Sequence, residues 1–515
     1  MSTLTAALYD AARGEAARRR VLPPPNAPMA VARAIIRELY ASADGPRLRY
    51  HRGLPYLWDG TCWRETAVRD VRSGAYHFLE DAHYRDDKDV EVPWAPTRRK
   101  LDDLVDALQA ATLIDSQLDA PRWIGRTTNN HPASEIVAMQ NGLLHVPTRT
   151  LLPHTASYFS TFALPFPFEP AAAAPMRWMD FLTELWPDDM SSISTLQEAM
   201  GYLLAGGTEQ HKIFMVVGPK RGGKGTIARV LTGLLGSQNV AAPTLASLST
   251  NFGLSPLIGK PVAIVADARL SPKTESTIVV ERLLSVSGED SLTIDRKYRD
   301  PWTGRLPTRF LILTNELPRL TDASGALASR FIAFVLTKSF YGVENPRLTD
   351  ELLAEAPAIF TWALAGLDRL THRGSFVQPD TSLEAIQRLE DLASPVSAFL
   401  RERCHVTSDE RVECDLLWTA WRSWCEAENR HAGTKAVFGR DLAAAVPTMR
   451  RARPRTDEGS DRPYVYQGIG LRQQHNGEVR GPGGPAPSRS PSGPPGPRTR
   501  PMYSPPAPAR ERSRL

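Results

Sequence analysis

The chain has 515 residues, of which 42% are hydrophobic and 23% charged, which is enough for about three domains with large apolar cores. Its formal charge is +5, but residues 472–515 contain eight arginines and two glutamates, which leaves a net charge of −1 for residues 1–471. The basic balance therefore comes from the tail and does not by itself indicate a nucleic-acid-binding body. The sequence has no apolar run of eighteen or more residues and no apolar N-terminal stretch, so we expect a cytoplasmic protein that does not enter a membrane.

Residues 1–175 favour a mixed α/β or β-rich N-terminal domain. Helical apolar spacing covers Met29–Ala41, and Tyr56–Arg64 is typical of a hairpin because an Asp-Gly pair separates two apolar runs. A second unit of this kind covers Ile136–Leu152, where the pair between the apolar runs is Asn-Gly. Residues 176–210 are mostly helical in pattern and lead into the next segment.

An apolar strand, a glycine-rich turn, a lysine and a helix follow one another in Ile213–Arg229, which reads IFMVVGPKRGGKGTIAR. The turn fits the pattern G-x-x-x-x-G-K of a phosphate-binding loop. In such a loop, glycines let backbone N–H groups point at phosphate oxygens and the lysine reaches the outer phosphates. We therefore expect a nucleoside triphosphate, with ATP as the first candidate. The predicted nucleotide-binding residues are Gly218, Pro219, Lys220, Arg221, Gly222, Gly223, Lys224, Gly225 and Thr226.

The expected magnesium site departs from the usual pattern at one position. The hydroxyl residue that normally follows the lysine and holds Mg²⁺ is replaced by Gly225, and Thr226 comes one place later. The second predicted ligand is Asp267, at the end of the apolar run VAIVAD, where a carboxylate can hold Mg²⁺ or one of its waters. Ala268 and Arg269 follow it instead of a second acid, so the general base stays open and Asp267 is the candidate for both roles.

Three apolar runs predict parallel strands of an open α/β sheet, in which ligands gather at the carboxyl ends. They are Ile213–Val217, Pro261–Asp267 and Phe310–Asn315. At its strand end, Asn315 would hydrogen-bond the γ-phosphate or the attacking water without adding negative charge. Arg330 precedes a further apolar run, FIAFVL, and is a candidate arginine finger for the γ-phosphate of a neighbouring subunit. With Lys224 and Asp267, these two residues form the predicted catalytic set.

A basic and aromatic segment lies between the last two of these strands. It places Arg296, Lys297, Tyr298 and Arg299 where a hairpin would turn. Lysine and arginine neutralise backbone phosphates, and tyrosine offers a stacking face for a base. We predict that these four residues bind DNA, although a charged cluster of this kind is also typical of a solvated loop.

The C-terminal third of the chain changes from helical to mixed and then to low-complexity sequence. Residues 346–393 are helical in pattern, and residues 394–470 place helices around Leu416–Glu428 and Phe438–Ala445 before a short strand pair, which favours a winged-helix module. Residues 471–515 are rich in Pro, Gly, Ser and Arg and favour a disordered tail. The cysteines form no C-x-x-C pair, so we expect buried thiols rather than a zinc site or a disulfide framework.

The order of five segments within residues 218–331 resembles that of superfamily 3 helicases. The segments are GPKRGGKGT, VAIVADARL, SGEDSLTIDRKYR, LILTNELP and ASRF. The DRKY segment and the spacing from Asn315 to Arg330 are similar to those of the papillomavirus replicative helicase. The closer resemblance is to the phage and plasmid primase-helicase family shared with poxviruses, through a QNG turn at residues 140–142 and a terminal winged helix. It covers roughly residues 50–470.

This resemblance implies an α/β fold class: an AAA+-like P-loop ATPase domain with an N-terminal α/β domain and a C-terminal winged-helix-like domain. It implies an ATP-dependent replicative DNA helicase of a phage, prophage or plasmid, which uses ATP and Mg²⁺ and self-associates into a ring, expected to be a hexamer. Lys224, Asp267 and Asn315 would act in cis and Arg330 in trans, while the DRKY hairpin would hold single-stranded or forked DNA. The expected divisions are an N-terminal primase-helicase-associated domain (1–175), a helical collar (176–210), the ATPase core (211–345), a helical subdomain (346–393), the winged-helix-like domain (394–470) and the tail (471–515).

Three alternatives remain open. A bifunctional primase-helicase needs carboxylates for two metals, and the acidic run of Asp86, Asp87 and Asp89 lies in a predicted loop, so a separate primase is the other source of primers. A DNA-independent P-loop kinase is favoured by the GKGT order, which resembles adenylate kinases, but it gives no role to the DRKY segment. A non-enzymatic DNA-binding protein would act through residues 394–470 and the tail.

Overall fold

The structure is a computed structural model, and it describes residues 20–124, 130–268, 276–320, 322, 325–453 and 463–472. Two units are distinguished, residues 1–471 and 472–515, and every element given below belongs to the first. Except for Leu471 and Arg472, the predicted disordered tail lies outside the described residues. No helix in these described ranges combines the length and the apolar character that crossing a membrane requires.

The N-terminal part is mixed α/β, as predicted. Helices α1, α2 and α3 span Pro28–Leu39, Val68–Leu79 and Arg98–Ala111. Strands β1 to β10 span Leu48–His51, Leu54–Trp58, Trp63–Glu65, His83–Arg85, Glu91–Pro93, Arg122–Trp123, Ile136–Met139, Gly142–His145, Thr150–Leu152 and Tyr158–Phe159. Apolar residues at helical spacing on α1 and α3, such as Val31, Ile35, Leu104 and Leu108, share one buried cluster, which holds these two helices against each other.

Both predicted N-terminal hairpins are confirmed. Strands β2 and β3 pair antiparallel, and in their turn the Asp59 carboxylate accepts hydrogen bonds from the backbone N–H of Thr61 at 2.7 Å and of Cys62 at 2.8 Å. Strands β7 and β8 pair antiparallel around the second turn. There the Asn141 side chain accepts from Phe168 N at 2.9 Å and donates to Phe168 O at 3.0 Å, which ties the turn to the chain that follows.

A five-stranded parallel sheet is the central feature of the described structure. Strands β11 to β17 span Ile213–Val217, Val240–Ala241, Val262–Val265, Leu292–Arg296, Arg299–Gly304, Arg309–Thr314 and Phe331–Val335. The parallel sheet has the order β12, β13, β16, β11, β17, and β14 and β15 form a separate antiparallel hairpin. Alternate residues of the parallel strands face two different apolar clusters. Both faces are therefore covered, which explains why these runs are continuously apolar.

Helices cover the two faces of the parallel sheet. Helices α4 to α12 span Met176–Leu185, Met190–Ala205, Lys224–Leu235, Leu245–Leu248, Ser276–Ser287, Ala326–Arg330, Leu348–Leu353, Ala356–Arg373 and Leu383–Ala393. The predicted helical character of residues 346–393 is confirmed. Helices α5 and α11 approach closely because glycines lie at their contact, and a Cβ added to Gly366 would lie 2.5 Å from the carbonyl carbon of Gln197.

The C-terminal part of the first unit has an aromatic core of its own. Helices α13, α14 and α15 span Pro395–Arg403, Cys414–Ala427 and Lys435–Ala445, and strands β18 to β22 span Cys404–His405, Arg411–Glu413, Arg450–Ala452, Val465–Gln467 and Gly470–Leu471. Strands β19, β21 and β20 form an antiparallel sheet in that order. Phe399, Trp421, Trp424 and Phe438 are the buried aromatic members of this core, and the two helices predicted around Leu416–Glu428 and Phe438–Ala445 are present. All four cysteines of the chain are buried, as predicted.

Candidate functional site

The predicted phosphate loop joins β11 to α6 at the carboxyl edge of the parallel sheet. Two of its glycines are required by geometry. A Cβ on Gly218 would lie 2.6 Å from the carbonyl oxygen of Leu336, and one on Gly223, whose φ is +93°, would lie 2.7 Å from Leu185 Cδ2. The Gly218 N–H donates to the Thr314 carbonyl at 3.2 Å, which holds the start of the loop against β16. The loop therefore follows a strand and opens a helix, as the motif requires.

The middle of the loop is held by the segment that follows β17. Arg221 adopts a left-handed conformation with φ of +60°, its carbonyl accepts from Phe340 N at 3.0 Å, and its guanidinium lies 3.4 Å from the Glu344 carboxylate. Two further hydrogen bonds complete the turn. Gly222 N donates to Pro219 O at 3.2 Å, and Ser339 Oγ donates to Lys220 O at 2.9 Å. The loop is thus a fixed structure rather than a free segment.

The Lys224 ammonium joins the loop to the neighbouring strand. Its Nζ donates to the carbonyl oxygens of Gly218 at 2.7 Å and Pro219 at 2.6 Å, and to Asn315 Oδ1 at 3.0 Å. These three acceptors match the three N–H groups of an ammonium. Burial lowers the pKa of Lys224 from that of an exposed lysine. The structure therefore brings two of the predicted catalytic residues into direct contact, because β16 is the sheet neighbour of β11.

Asp267 lies at the same carboxyl edge, in an exposed position two residues past β13. The predicted strand was too long at this end, because the ladder with β16 stops at Val265, opposite Ile312. The chain still follows β16 for three more residues, since Ala268 N donates to Leu313 O at 3.2 Å. Asp267 therefore shares one edge of the sheet with the lysine and the asparagine.

Thr226, the other predicted magnesium ligand, is buried and contacts the guanidinium of Arg229. The residue is 8% exposed, and its hydroxyl accepts a hydrogen bond from Arg229 Nη2 at 3.1 Å. Because that hydroxyl faces a cation, Thr226 does not fit direct coordination of Mg²⁺. Asp267 is exposed at the edge and has the carboxylate oxygens that Mg²⁺ prefers. The sequence analysis missed Arg229, although its position one helical turn after Gly225 was a usable signal.

Arg330 lies at the opposite edge of the sheet. It ends α9 directly before β17, and β17 pairs with β11 in a register that sets Phe331 opposite Ile213. Five strand residues at about 3.3 Å each therefore separate it from the phosphate loop by about 16 Å. Its guanidinium donates to Leu284 O at 3.2 Å and Ser287 Oγ at 2.9 Å, at the C-terminal end of α8, where a cation is favoured.

The predicted DNA-binding residues divide into two pairs. Lys297 and Tyr298 form the tip of the hairpin of β14 and β15; Tyr298 is 92% exposed, with φ of +61°, and Lys297 Nζ lies 5.2 Å from the centre of its ring. Arg296 instead contacts its own hairpin, because its Nε donates to the Asp300 carbonyl at 2.9 Å. The tip therefore presents a cation and an aromatic face together.

Arg299, the fourth predicted residue, contacts the N-terminal part of the chain. Its guanidinium donates to Glu65 Oε1 at 2.9 Å. Close by, the Arg52 guanidinium lies 5.1 Å from the centre of the Trp302 ring and donates to Asp119 at 2.7 Å. These contacts, which the sequence analysis missed, attach the hairpin to the chain near β1 and β3, through Arg299 next to its tip and through Trp302 farther along β15.

Two regions of the chain match protein families. Residues 33–187 match the family described as D5 N terminal like, and residues 216–330 match a family of unknown function, DUF5906. The second range begins in β11 and ends at Arg330, so it contains the loop, Asp267, Asn315 and the hairpin. The protein is a mixed α/β chain with a parallel five-stranded sheet, and its N-terminal part is similar to the D5 N-terminal-like family.

The chain is also similar to solved structures. The apo structure of NrS-1 C terminal region (305-718) is 11% identical, with a TM-score of 0.50, and the similarity covers 82% of this chain and 96% of that one. The A form apo structure of NrS-1 C terminal region-CTR is likewise 11% identical over the same shares, with a TM-score of 0.47. At this level of identity, the first similarity shows a shared fold.

Proposed function

We propose that the chain is an ATP-dependent replicative DNA helicase of a phage, prophage or plasmid, with ATP bound at the 218–226 loop. The observation that carries this proposal is the 3.0 Å contact between Lys224 Nζ and Asn315 Oδ1, which joins the phosphate-binding lysine to the residue expected to sense the γ-phosphate. The strand order supports an AAA+-like ATPase domain, because β16 lies between the loop strand β11 and the acid strand β13. The D5 N-terminal-like match supports a replication protein.

The contacts of Lys224 suggest how ATP would act on the sheet. A triphosphate would compete for the ammonium with two neutral carbonyls and an amide, because hydrogen bonds to charged oxygens are the stronger ones. Transfer of Lys224 to the phosphates would release the Asn315 side chain, which could then bond the γ-phosphate or the attacking water. Asp267 would hold Mg²⁺ or one of its waters. Binding of ATP to the loop would thus change the contacts of the Asn315 side chain at the carboxyl end of β16.

The position of Arg330 supports a role between subunits. At about 16 Å along the sheet from its own loop, it is too far to touch a phosphate bound there. In a ring, expected to be a hexamer, the amino edge of one subunit's sheet would face the loop of the next. Arg330 would then exchange its contacts at the end of α8 for the neighbour's γ-phosphate, a role that typically changes the rate by about 10³–10⁵.

The hairpin tip is the proposed contact with single-stranded DNA. Lys297 would neutralise a backbone phosphate and Tyr298 would stack on a base. The hairpin lies in the chain between α8 and the amino end of β16, so a shift of β16 on nucleotide binding would be passed to it along the strand. Hydrolysis around a ring would then move the strand and separate a forked duplex.

We propose that residues 394–470 form a winged helix that binds duplex DNA. Apart from the two-residue strands β18 and β22, its order of helix, strand, helix, helix and two strands is the order expected of such a module, and Arg451 lies 4.2 Å from the centre of the Tyr464 ring. We propose that a separate primase supplies primers. In the acidic run, Asp86 Oδ1 accepts hydrogen bonds from Lys88 N and Val90 N at 2.9 Å each. These contacts are typical of an aspartate that stabilises a turn, and they favour a structural role for Asp86 over metal binding.

The first test is the ATPase rate of residues 1–471, with and without single-stranded DNA. This range omits the basic tail and is a compact unit. DNA should stimulate the rate, and Lys224→Ala should abolish it. Unwinding of a forked substrate by the full chain is the next measurement. A substantial rate that DNA leaves unchanged would contradict the helicase proposal and favour the P-loop kinase.

Mixed rings test the role of Arg330. Arg330→Ala alone and Lys224→Ala alone should each abolish ATPase activity. Mixed together, they should recover part of it, because some interfaces then combine an intact loop with an intact arginine. Subunit exchange is verified by differently tagged chains. Exchange without any recovery would contradict the trans assignment.

A further inference from the structure

The helix that begins at Lys224 carries a cation where phosphate loops usually carry a hydroxyl. The residue after the lysine is Gly225, which has no side chain to offer. A Cβ built on Gly225 would lie 3.1 Å from Arg229 Nη1 and 3.9 Å from Arg229 Cζ. A hydroxyl oxygen lies one bond beyond that Cβ, so a serine could enter only if the guanidinium moved. The guanidinium therefore lies directly beside the position at which such a side chain would begin.

Two neutral hydroxyls hold Arg229 in this position. Its Nη2 donates to Thr226 Oγ1 at 3.1 Å, and its Nε donates to Thr349 Oγ1 at 3.0 Å, near the start of α10. Among the described residues, no carboxylate lies within ion-pair distance of Arg229. The positive charge is thus not neutralised by these contacts, and the donors on Nη1 are directed to the side of Gly225.

The surroundings of this guanidinium suit a phosphate. The first turn of α6 presents its backbone N–H groups and the positive end of its dipole, and Lys224 lies one residue before Gly225. A guanidinium adds a planar pair of donors that matches two phosphate oxygens, which an ammonium cannot do. The glycine also lets a phosphate approach the backbone closely, since no side chain intervenes.

We propose that Arg229 binds the phosphate oxygens of a nucleoside di- or triphosphate directly, in place of the magnesium-binding hydroxyl that this loop lacks. The inference rests on the proposed nucleotide site. Arg229 is then a second loop cation beside Lys224. Nucleotide affinity should depend less on Mg²⁺ than in a loop with a hydroxyl after its lysine, because a protein cation supplies part of the charge that the metal otherwise supplies.

Calorimetric titration of the full chain with ADP, with excess Mg²⁺ and with EDTA, tests this proposal. The wild-type Kd should rise less than about tenfold in EDTA, and Arg229→Gln should raise the Kd in EDTA by about tenfold or more. Gly225→Ser should displace the guanidinium and make binding depend more strongly on Mg²⁺. The matched control is Arg347→Gln, which removes an exposed arginine two residues before Thr349. The Kd of this variant for ADP should stay within about twofold of the wild-type value.

The outcomes separate this inference from the proposed function. If Arg229→Gln and wild type bind ADP equally in EDTA, the role of Arg229 is wrong and the nucleotide site stands. If wild type binds no ADP even with Mg²⁺, both are wrong. Circular dichroism and thermal unfolding check that each variant folds. Gly225→Ser alters the contact between residue 225 and the Arg229 guanidinium without changing Arg229. If Arg229→Gln fails to fold, the Mg²⁺ dependence of ADP binding by Gly225→Ser therefore tests the role of Arg229.

Discussion

Asn315→Asp should weaken ATP binding, because it changes the partner of Lys224 from a neutral amide to a carboxylate. In the structure the two side chains meet at 3.0 Å, and aspartate differs from asparagine only in the terminal atom and the charge. The ammonium would then be held by an ion pair that a phosphate has to break. The carboxylate would also repel the γ-phosphate, so both effects act in the same direction.

The size of the effect follows from the geometry. Two unit charges about 4 Å apart attract by about 4 kcal/mol at an effective dielectric constant of 20. Both side chains are only partly buried, so solvent screening reduces the net gain to about 1–2 kcal/mol. Since 1.4 kcal/mol corresponds to a factor of ten, the Kd for ATP should rise about 5- to 30-fold.

A nucleotide that is hydrolysed slowly, such as ATPγS, allows the affinity to be measured by calorimetry. The matched variant is Asn315→Ala, which removes the amide without adding a charge. It should change the affinity by less than about threefold while lowering the hydrolysis rate, since the proposed γ-phosphate contact is lost. If folded Asn315→Asp binds ATPγS within twofold of wild type, the contact does not compete with the nucleotide and the reasoning fails.

Three further predictions concern the hairpin, the helix packing and the charge of the loop. Tyr298→Ala should weaken single-stranded DNA binding by about 1–3 kcal/mol in fluorescence anisotropy, whereas the exposed Tyr341→Ala should not; equal effects would contradict base stacking at the tip. Gly366→Ala should lower the free energy of unfolding in urea by about 1–2 kcal/mol, because a clash with the facing backbone outweighs about 1 kcal/mol of helix propensity. Gly439→Ala, whose Cβ would meet only one atom at 3.4 Å inside a helix, should raise it by up to about 1 kcal/mol, and equal losses in the two variants would refute the packing argument. Since burial lowers the pKa of Lys224, ATP affinity should fall with rising pH before an ordinary lysine near 10.4 loses its proton. Lys224→Arg should remove this loss of ATP affinity at high pH, because arginine keeps its proton. If the variant shows the same pH profile as wild type, the titration of Lys224 is not the cause of the loss.

Local pattern alone predicted a part of the elements of this protein. The continuous apolar run IFMVV predicted the strand Ile213–Val217 at both ends, and glycines with a lysine after it predicted the loop and the start of α6. The two N-terminal hairpins and the C-terminal helices were also predicted, because turn residues and helical spacing act over a few residues. The ends of strands were predicted less accurately. The predicted strand ended at Asp267, whereas pairing stops at Val265, because an apolar pattern does not show where pairing stops.

Tertiary structure alone decided which of these residues meet. Lys224 and Asn315 are 91 positions apart, and Arg299 and Glu65 are 234 apart, so no local period connects them. Strand order places β16 beside β11 and thereby creates the first contact, while the same parallel register sends Arg330 to the far edge. The Arg229 guanidinium beside Gly225 depends on side-chain direction and on Thr349 from another helix. Contacts of this kind arise from the packing of elements against one another, which a one-dimensional pattern does not contain.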